Sequence, residues 1–92
     1  MQAEIQYYLD KLQEEAAEVI QAVSKIRRFG PDNKKTESGP TNMQSLIAEL
    51  EDVLALLGAL ETTKCIDLTL SHGNIAYKLK QLLNSTPHTK TQ

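Results

Sequence analysis

From Ile5 to Ile26, apolar side chains stand at Ile5, Tyr8, Leu9, Leu12, Ala16, Val19, Ile20, Val23 and Ile26. That is the i, i+3, i+4, i+7 spacing of one helical face. A long amphipathic helix over residues 4–28 is the structure that buries such a stripe, and Phe29-Gly30-Pro31 ends it. Glycine suits the C-terminal cap, and proline cannot continue the ladder. The stretch GPDNKKTESGP has no hydrophobic period and reads as a mobile loop, spanning 29–41 with its flanks. Thr41-Asn42-Met43-Gln44 then matches a capping box. A second helix follows to about Glu61, with Leu46, Leu50, Val53, Leu54, Leu57 and Leu60 on one stripe. After Thr62-Thr63-Lys64, residues 66–84 predict a third helix, with a short turn before it as the alternative, carrying Ile66, Leu68, Leu70, Ile75, Leu79, Leu82 and Leu83. STPHTKTQ, residues 85–92, is polar and reads as a disordered tail.

The expected fold is therefore all-α: an antiparallel helical hairpin plus a third helix, forming one domain over residues 1–84. With 92 residues and one phenylalanine beside three tyrosines, a single copy assembles little core. Oligomerisation is expected to complete a four-helix-bundle core, using apolar residues left over at Leu54, Leu56 and Leu57. The net charge of -2 and pI near 5.6 argue against nucleic acid and anionic membranes as partners. Cys65 is the lone cysteine, which excludes an intrachain disulfide and fits a small buried apolar residue in a reducing compartment. MQAEIQYYLDK lacks the form of a signal peptide, and the oiliest run, LIAELEDVLALLGAL, contains three acids. A cytoplasmic protein is expected.

The two long helices repeat one pattern. LQEEAAEV at 12–19 and LIAELEDV at 46–53 share the form L-x-x-E-x-x-[ED]-V. At about 100° per residue, Glu15 and Glu49 lie about 60° to one side of the leading leucine, and Glu18 and Asp52 about 120° round on that side. An antiparallel pairing brings both flanks together at similar depth, about 17 Å and about 14 Å from the loop at ~1.5 Å per residue. Four carboxylates at the core edge repel one another unless a cation joins them. Oxygen ligands suit Mg²⁺, with Mn²⁺ a possible substitute. Glu14 points elsewhere, as a solvated acid or as support behind the ligands. A di-iron bundle needs Glu-x-x-His pairs. His72 and His88 make none and read as exposed and neutral. Lys25 lies on the acid-bearing side two turns beyond Glu18, and Arg27 and Arg28 follow it. A basic last turn of this kind suits the helix dipole.

Glu14-Glu15-Ala16-Ala17-Glu18 followed by Glu49-Leu50-Glu51-Asp52 resembles the EExxE and ExxD motifs of the MazG-like all-α NTP pyrophosphohydrolases. The likeness extends over residues 9–61, and EVIQAVSKIRRFGPDN with TNMQSLIAELEDVLALL resembles small bacterial and phage members. It implies hydrolysis of a nucleoside triphosphate, usually between the α and β phosphates, to monophosphate and pyrophosphate. By resemblance, Glu15, Glu18, Glu49 and Asp52 hold Mg²⁺, and Glu14 supports a second ion or orients the attacking water. Catalysis then rests on Glu14, Glu15 and Glu18. Asn74, Lys78 and Lys80 of the third helix fall where the family often contacts phosphates, and Lys78 is the best candidate. Lys25 and Arg28 complete the substrate-binding set, and loop residues Lys34 and Lys35 read as solvated, with closure over substrate as the alternative. The family also implies a homodimer or homotetramer with a base pocket near the subunit interface.

Three functions remain open on the sequence. They are a general Mg²⁺-dependent (d)NTP pyrophosphohydrolase, a dUTP-specific, dCTP-specific or alarmone-hydrolysing relative, and a non-enzymatic helical interaction module. The basic set of helix three is thin, as in a degenerate member, whereas the four acids are all present.

Overall fold

The computed structural model describes residues 3–67 and 72–87. It is all-helical, with α1 at Ala3–Phe29, α2 at Asn42–Thr62 and α3 at His72–Ser85. Among the described residues there is no strand, only an isolated antiparallel bridge between Lys34 and Thr41. No described helix is long and apolar enough to cross a membrane.

Helix α1 stops where glycine allows it to stop. Gly30 takes φ +90° and its N–H still reaches the Ile26 carbonyl at 2.8 Å, after which Pro31 ends the ladder. Helix α2 starts on the expected capping box: Thr41 Oγ1 accepts from the Gln44 N–H at 3.0 Å, and Gln44 Oε1 accepts from the Thr41 N–H at 2.9 Å. At its other end the Lys64 N–H donates to Glu61 and the Cys65 N–H to Leu60, the two bonds of a Schellman motif. Lys64 holds the left-handed position, φ 63°, that glycine usually takes.

The hairpin is fastened at its closed end by Asn42. Its side-chain amide donates to the Gly30 carbonyl at 3.0 Å and, more weakly, to that of Lys25 at 3.4 Å. The backbone N–H groups of Asn42 and Met43 donate to Asn33 and Pro31 at 2.9 and 3.0 Å. The segment expected as a free loop is thus laced to both helices.

Helices α1 and α2 pack against each other, and α3 packs against neither. The sheltered positions of α1 are Ile5, Tyr8, Lys11, Leu12, Glu15, Val19, Ala22, Val23 and Ile26. On α2 they include Asn42, Leu46, Glu49, Val53, Leu57 and Leu60, with Leu60 only 1% exposed. Both series advance mainly by steps of three and four, the spacing of a seam between paired helices. This seam is rotated from the apolar stripe expected from sequence. It turns toward the acids, so Glu15 and Glu49 stand within it and not beside it. The opposite flank, with Leu9 and Ile20 on α1 and Ile47, Leu50 and Leu54 on α2, is left exposed. Of the expected leftover leucines, Leu54 is exposed, and Leu56 and Leu57 are half-buried.

The third helix begins at His72, later than the expected residue 66: Cys65 and Ile66 close the α2 cap, with both N–H groups on the Leu60 carbonyl. Leu68 and Leu70 lie outside the described residues, as do His88 and the rest of the tail through Gln92. Ser85 belongs to α3, and the Thr86 N–H still bonds Leu82. Every described residue of α3 is exposed.

Asn42→Ala removes the amide that joins the two helices. Chemical denaturation should show a loss of about 1–3 kcal/mol, the range for stranding buried hydrogen-bond partners.

Candidate metal centre

Glu15, Glu18 and Glu49 each place one carboxylate oxygen so that all three lie within 4.8 Å of one another. The seam produces this cluster. Glu15 follows Leu12 by one turn and Glu49 follows Leu46 by one turn, so the hairpin brings the equivalent positions of its two arms together. Glu18 adds its carboxyl from the next turn of α1. Oε2 of Glu15 and Oε2 of Glu49 are both shut off from solvent with no hydrogen-bond partner. Unpaired buried oxygens of this kind cost free energy, and a cation at the cluster would satisfy them.

The charges register the same crowding. Burial is the main cause that raises the Glu15 carboxyl above its ordinary range, followed by the charges of Glu18, Asp52 and Glu14, with Lys11 opposing. Glu49 is pushed up to about 7, first by its hydrogen bond with Glu18, then by burial and by the charges of Glu18, Glu15 and Asp52.

Asp52, expected as a fourth ligand, is close enough to act on both glutamates, yet it is exposed and not among the three converging carboxylates. With Glu15 it lines a small cleft of about 330 Å³ beside Tyr7, Tyr8 and Lys11. Glu18 and Glu49 line a second cleft, about 400 Å³, together with Gln21, Ala22, Lys25, Asn42 and Ser45. The acids thus divide two openings.

Among the other expected residues, Lys25 shares the groove with the acids. Glu14 is exposed on α1 next to the cluster and contributes repulsion to Glu15. Arg28 lines neither cleft, its guanidinium lying 5.1 Å from the centre of the Phe29 ring. Asn74 and Lys78 stand exposed on α3, apart from the groove. Sequence reasoning missed Gln21, Asn42 and Ser45. Their signal was there in the spacing, since Glu18, Gln21 and Lys25 repeat the steps of Asn42, Ser45 and Glu49 along the facing helix. Compared with models of protein families, with curated proteins and with solved structures, the chain matches none.

The raised carboxyls set a pH dependence. The unfolded chain releases these protons near the ordinary value of 4.5, whereas the folded chain keeps that of Glu49 up to about 7. Protons bound only in the fold stabilise it at low pH, so this contribution declines as pH rises through that window. In chelator, thermal melts of the wild type should therefore fall in midpoint from about pH 5 to about pH 8, more steeply than those of Glu49→Gln. Mg²⁺ or Mn²⁺ should raise the wild-type midpoint most at the alkaline end.

Proposed function

We propose that this chain is a divalent-cation-dependent nucleotide pyrophosphohydrolase of the MazG-like kind, converting (d)NTP and water to (d)NMP and pyrophosphate. The observation that carries the reading is the triad of carboxylates with two buried, unpartnered oxygens, opening into a groove that also holds an amine, Lys25. A site built only for solubility would place its acids in water, not in the seam between helices.

The donor set fits a hard cation, because the oxygens are carboxylate only and two of them lack any other partner. Glu15, Glu18 and Glu49 would hold Mg²⁺, or Mn²⁺ in its place, with Asp52 adding charge from the flank. The ion supplies neutralisation of phosphate charge and a more acidic bound water. Glu18 and Glu49 border the groove and orient what enters it, while Lys25 at the same groove binds a phosphate oxygen and fixes the direction of the chain. Glu14, exposed beside the cluster, would support a second ion or orient the attacking water. A nucleotide enzyme of this kind would work in the cytoplasm.

The exposed flank of Leu9, Ile20, Ile47, Leu50 and Leu54 supports assembly into a homodimer or homotetramer, since exposed apolar side chains on both arms of a hairpin are material for a partner interface. Sedimentation should find a homo-oligomer that Leu54→Glu shifts toward monomer. Asn74 and Lys78 take part only if assembly brings an α3 to the groove.

The deciding assay is pyrophosphate release from a panel of ribo- and deoxyribonucleoside triphosphates with Mg²⁺, with Mn²⁺ and with chelator. Release should require the cation, and Glu18→Gln should lower kcat by roughly 100-fold or more with helicity intact, as for loss of a group acting in the transition state. Release of none, from folded protein with metal present, leaves alarmone substrates to be tried. Binding partners without turnover would then establish the interaction-module reading.

A further inference from the structure

The groove does not end at Lys25. Beyond it a second cavity of about 640 Å³ opens between the end of α1 and the 31–40 loop, and Lys25, Asn42 and Ser45 line both spaces. The chemistry changes along this path. The first space is bordered by Glu18 and Glu49, the shared wall carries an amine, and the far space is lined by Phe29, Pro40, Asn33, Thr36 and Lys35. An elongated ligand that is multiply anionic at one end and planar and neutral at the other matches that order.

We infer that the loop cavity is the nucleobase subsite, built by the same chain that holds the cation, with Phe29 as the stacking surface and Asn33 and Thr36 reading the edge of the base. The inference rests on the nucleotide reading above and adds where selectivity resides. It departs from the expectation of a base pocket at the subunit interface.

Three observations support it. The volume lies in the range of small-molecule pockets. Phe29 is a large apolar ring left 55% exposed, and Arg28 lies against it at 5.1 Å; such a contact holds the ring in place and makes Arg28 a positioning residue. The opposite wall is preformed. The Asn33 carbonyl accepts from the Asn42 N–H, the Thr36 carbonyl accepts from the Gly39 N–H at 3.0 Å, and Lys34 pairs with Thr41. Gly39 packs so close that an added Cβ would lie 2.6 Å from Thr36 Oγ1, so the position of that hydroxyl depends on a residue without a side chain.

The test is binding with Mg²⁺ present, read from amide resonances as nucleoside monophosphates are titrated, with ribose 5-phosphate as the base-free probe. Nucleotides should shift Phe29, Asn33 and Thr36 together with Lys25 and Ser45, whereas ribose 5-phosphate should shift only the latter pair. Phe29→Ala should weaken nucleotide binding roughly fivefold or more, the usual effect of losing a base–aromatic stack, and leave ribose 5-phosphate unchanged. Gly39→Ala, which displaces Thr36 without touching Phe29, should reorder the preference among bases. The inference is overturned if no nucleotide shifts the loop, or if Phe29→Ala binds every probe as the wild type does. Loop binding without pyrophosphate release would sink the enzyme reading and leave the subsite standing. Release unchanged in Phe29→Ala, for all bases, would do the reverse.

Discussion

A two-helix hairpin has few ways to fix how far one arm slides along the other, and here Asn42 supplies the constraint. Its amide, buried at the first residue of α2, donates to carbonyls at the end of α1. A slip by one helical turn would strand those groups in a place that water reaches poorly, at a cost comparable to several surface contacts. Once that register is set, the repeated L-x-x-E pattern on the two arms brings Glu15 to Glu49 without any further device. The convergence of acids follows from the seam, and the seam follows from the lock.

Placing carboxylates in a seam works against the fold. Hydrophobic side chains at positions 15 and 49 would bury apolar surface and relieve the repulsion, and the chain forgoes that gain. Glu49 retains its proton to about neutrality as the fold's own compensation. A proton and a cation compete for the same carboxylate oxygens, so on the proposed reading one would replace the other as pH rises. The hairpin tolerates the conflict because the sheltered residues on either side, Leu12 and Val19 on one arm and Leu46 and Val53 on the other, carry its packing.

Much of this was legible in the sequence. The 3.6-residue period, the Gly30-Pro31 stop and the Thr41 capping box gave two helices with boundaries within about a residue, because each signal is local. The repeat also foretold that Glu15, Glu18, Glu49 and Asp52 converge, and the first three do. The rotation of the seam was not legible. Both arms carry apolar residues over a face wider than one partner covers, and a single chain cannot say which part of that face the first partner takes. For the same reason α3, whose apolar residues Ile75, Leu79 and Leu82 remain exposed, was read as part of one packed unit. The loop showed only turn formers and charge. Its walls arise from backbone hydrogen bonds, which leave no mark on side-chain pattern.

That last point bears on how such a chain can change. The groups in the 30–41 segment that accept from Asn42 and Met43 are the carbonyls of Gly30, Pro31 and Asn33, and any residue carries a carbonyl. Replacing the side chains of Asn33, Lys35 or Thr36 therefore leaves the acceptors in place and the spacing of the acids untouched. On the nucleobase-subsite proposal, recognition and register are written in different parts of the same short segment. One can drift by point mutation while the other stays fixed, and a loop exchanged between related hairpins would bring its preferences with it.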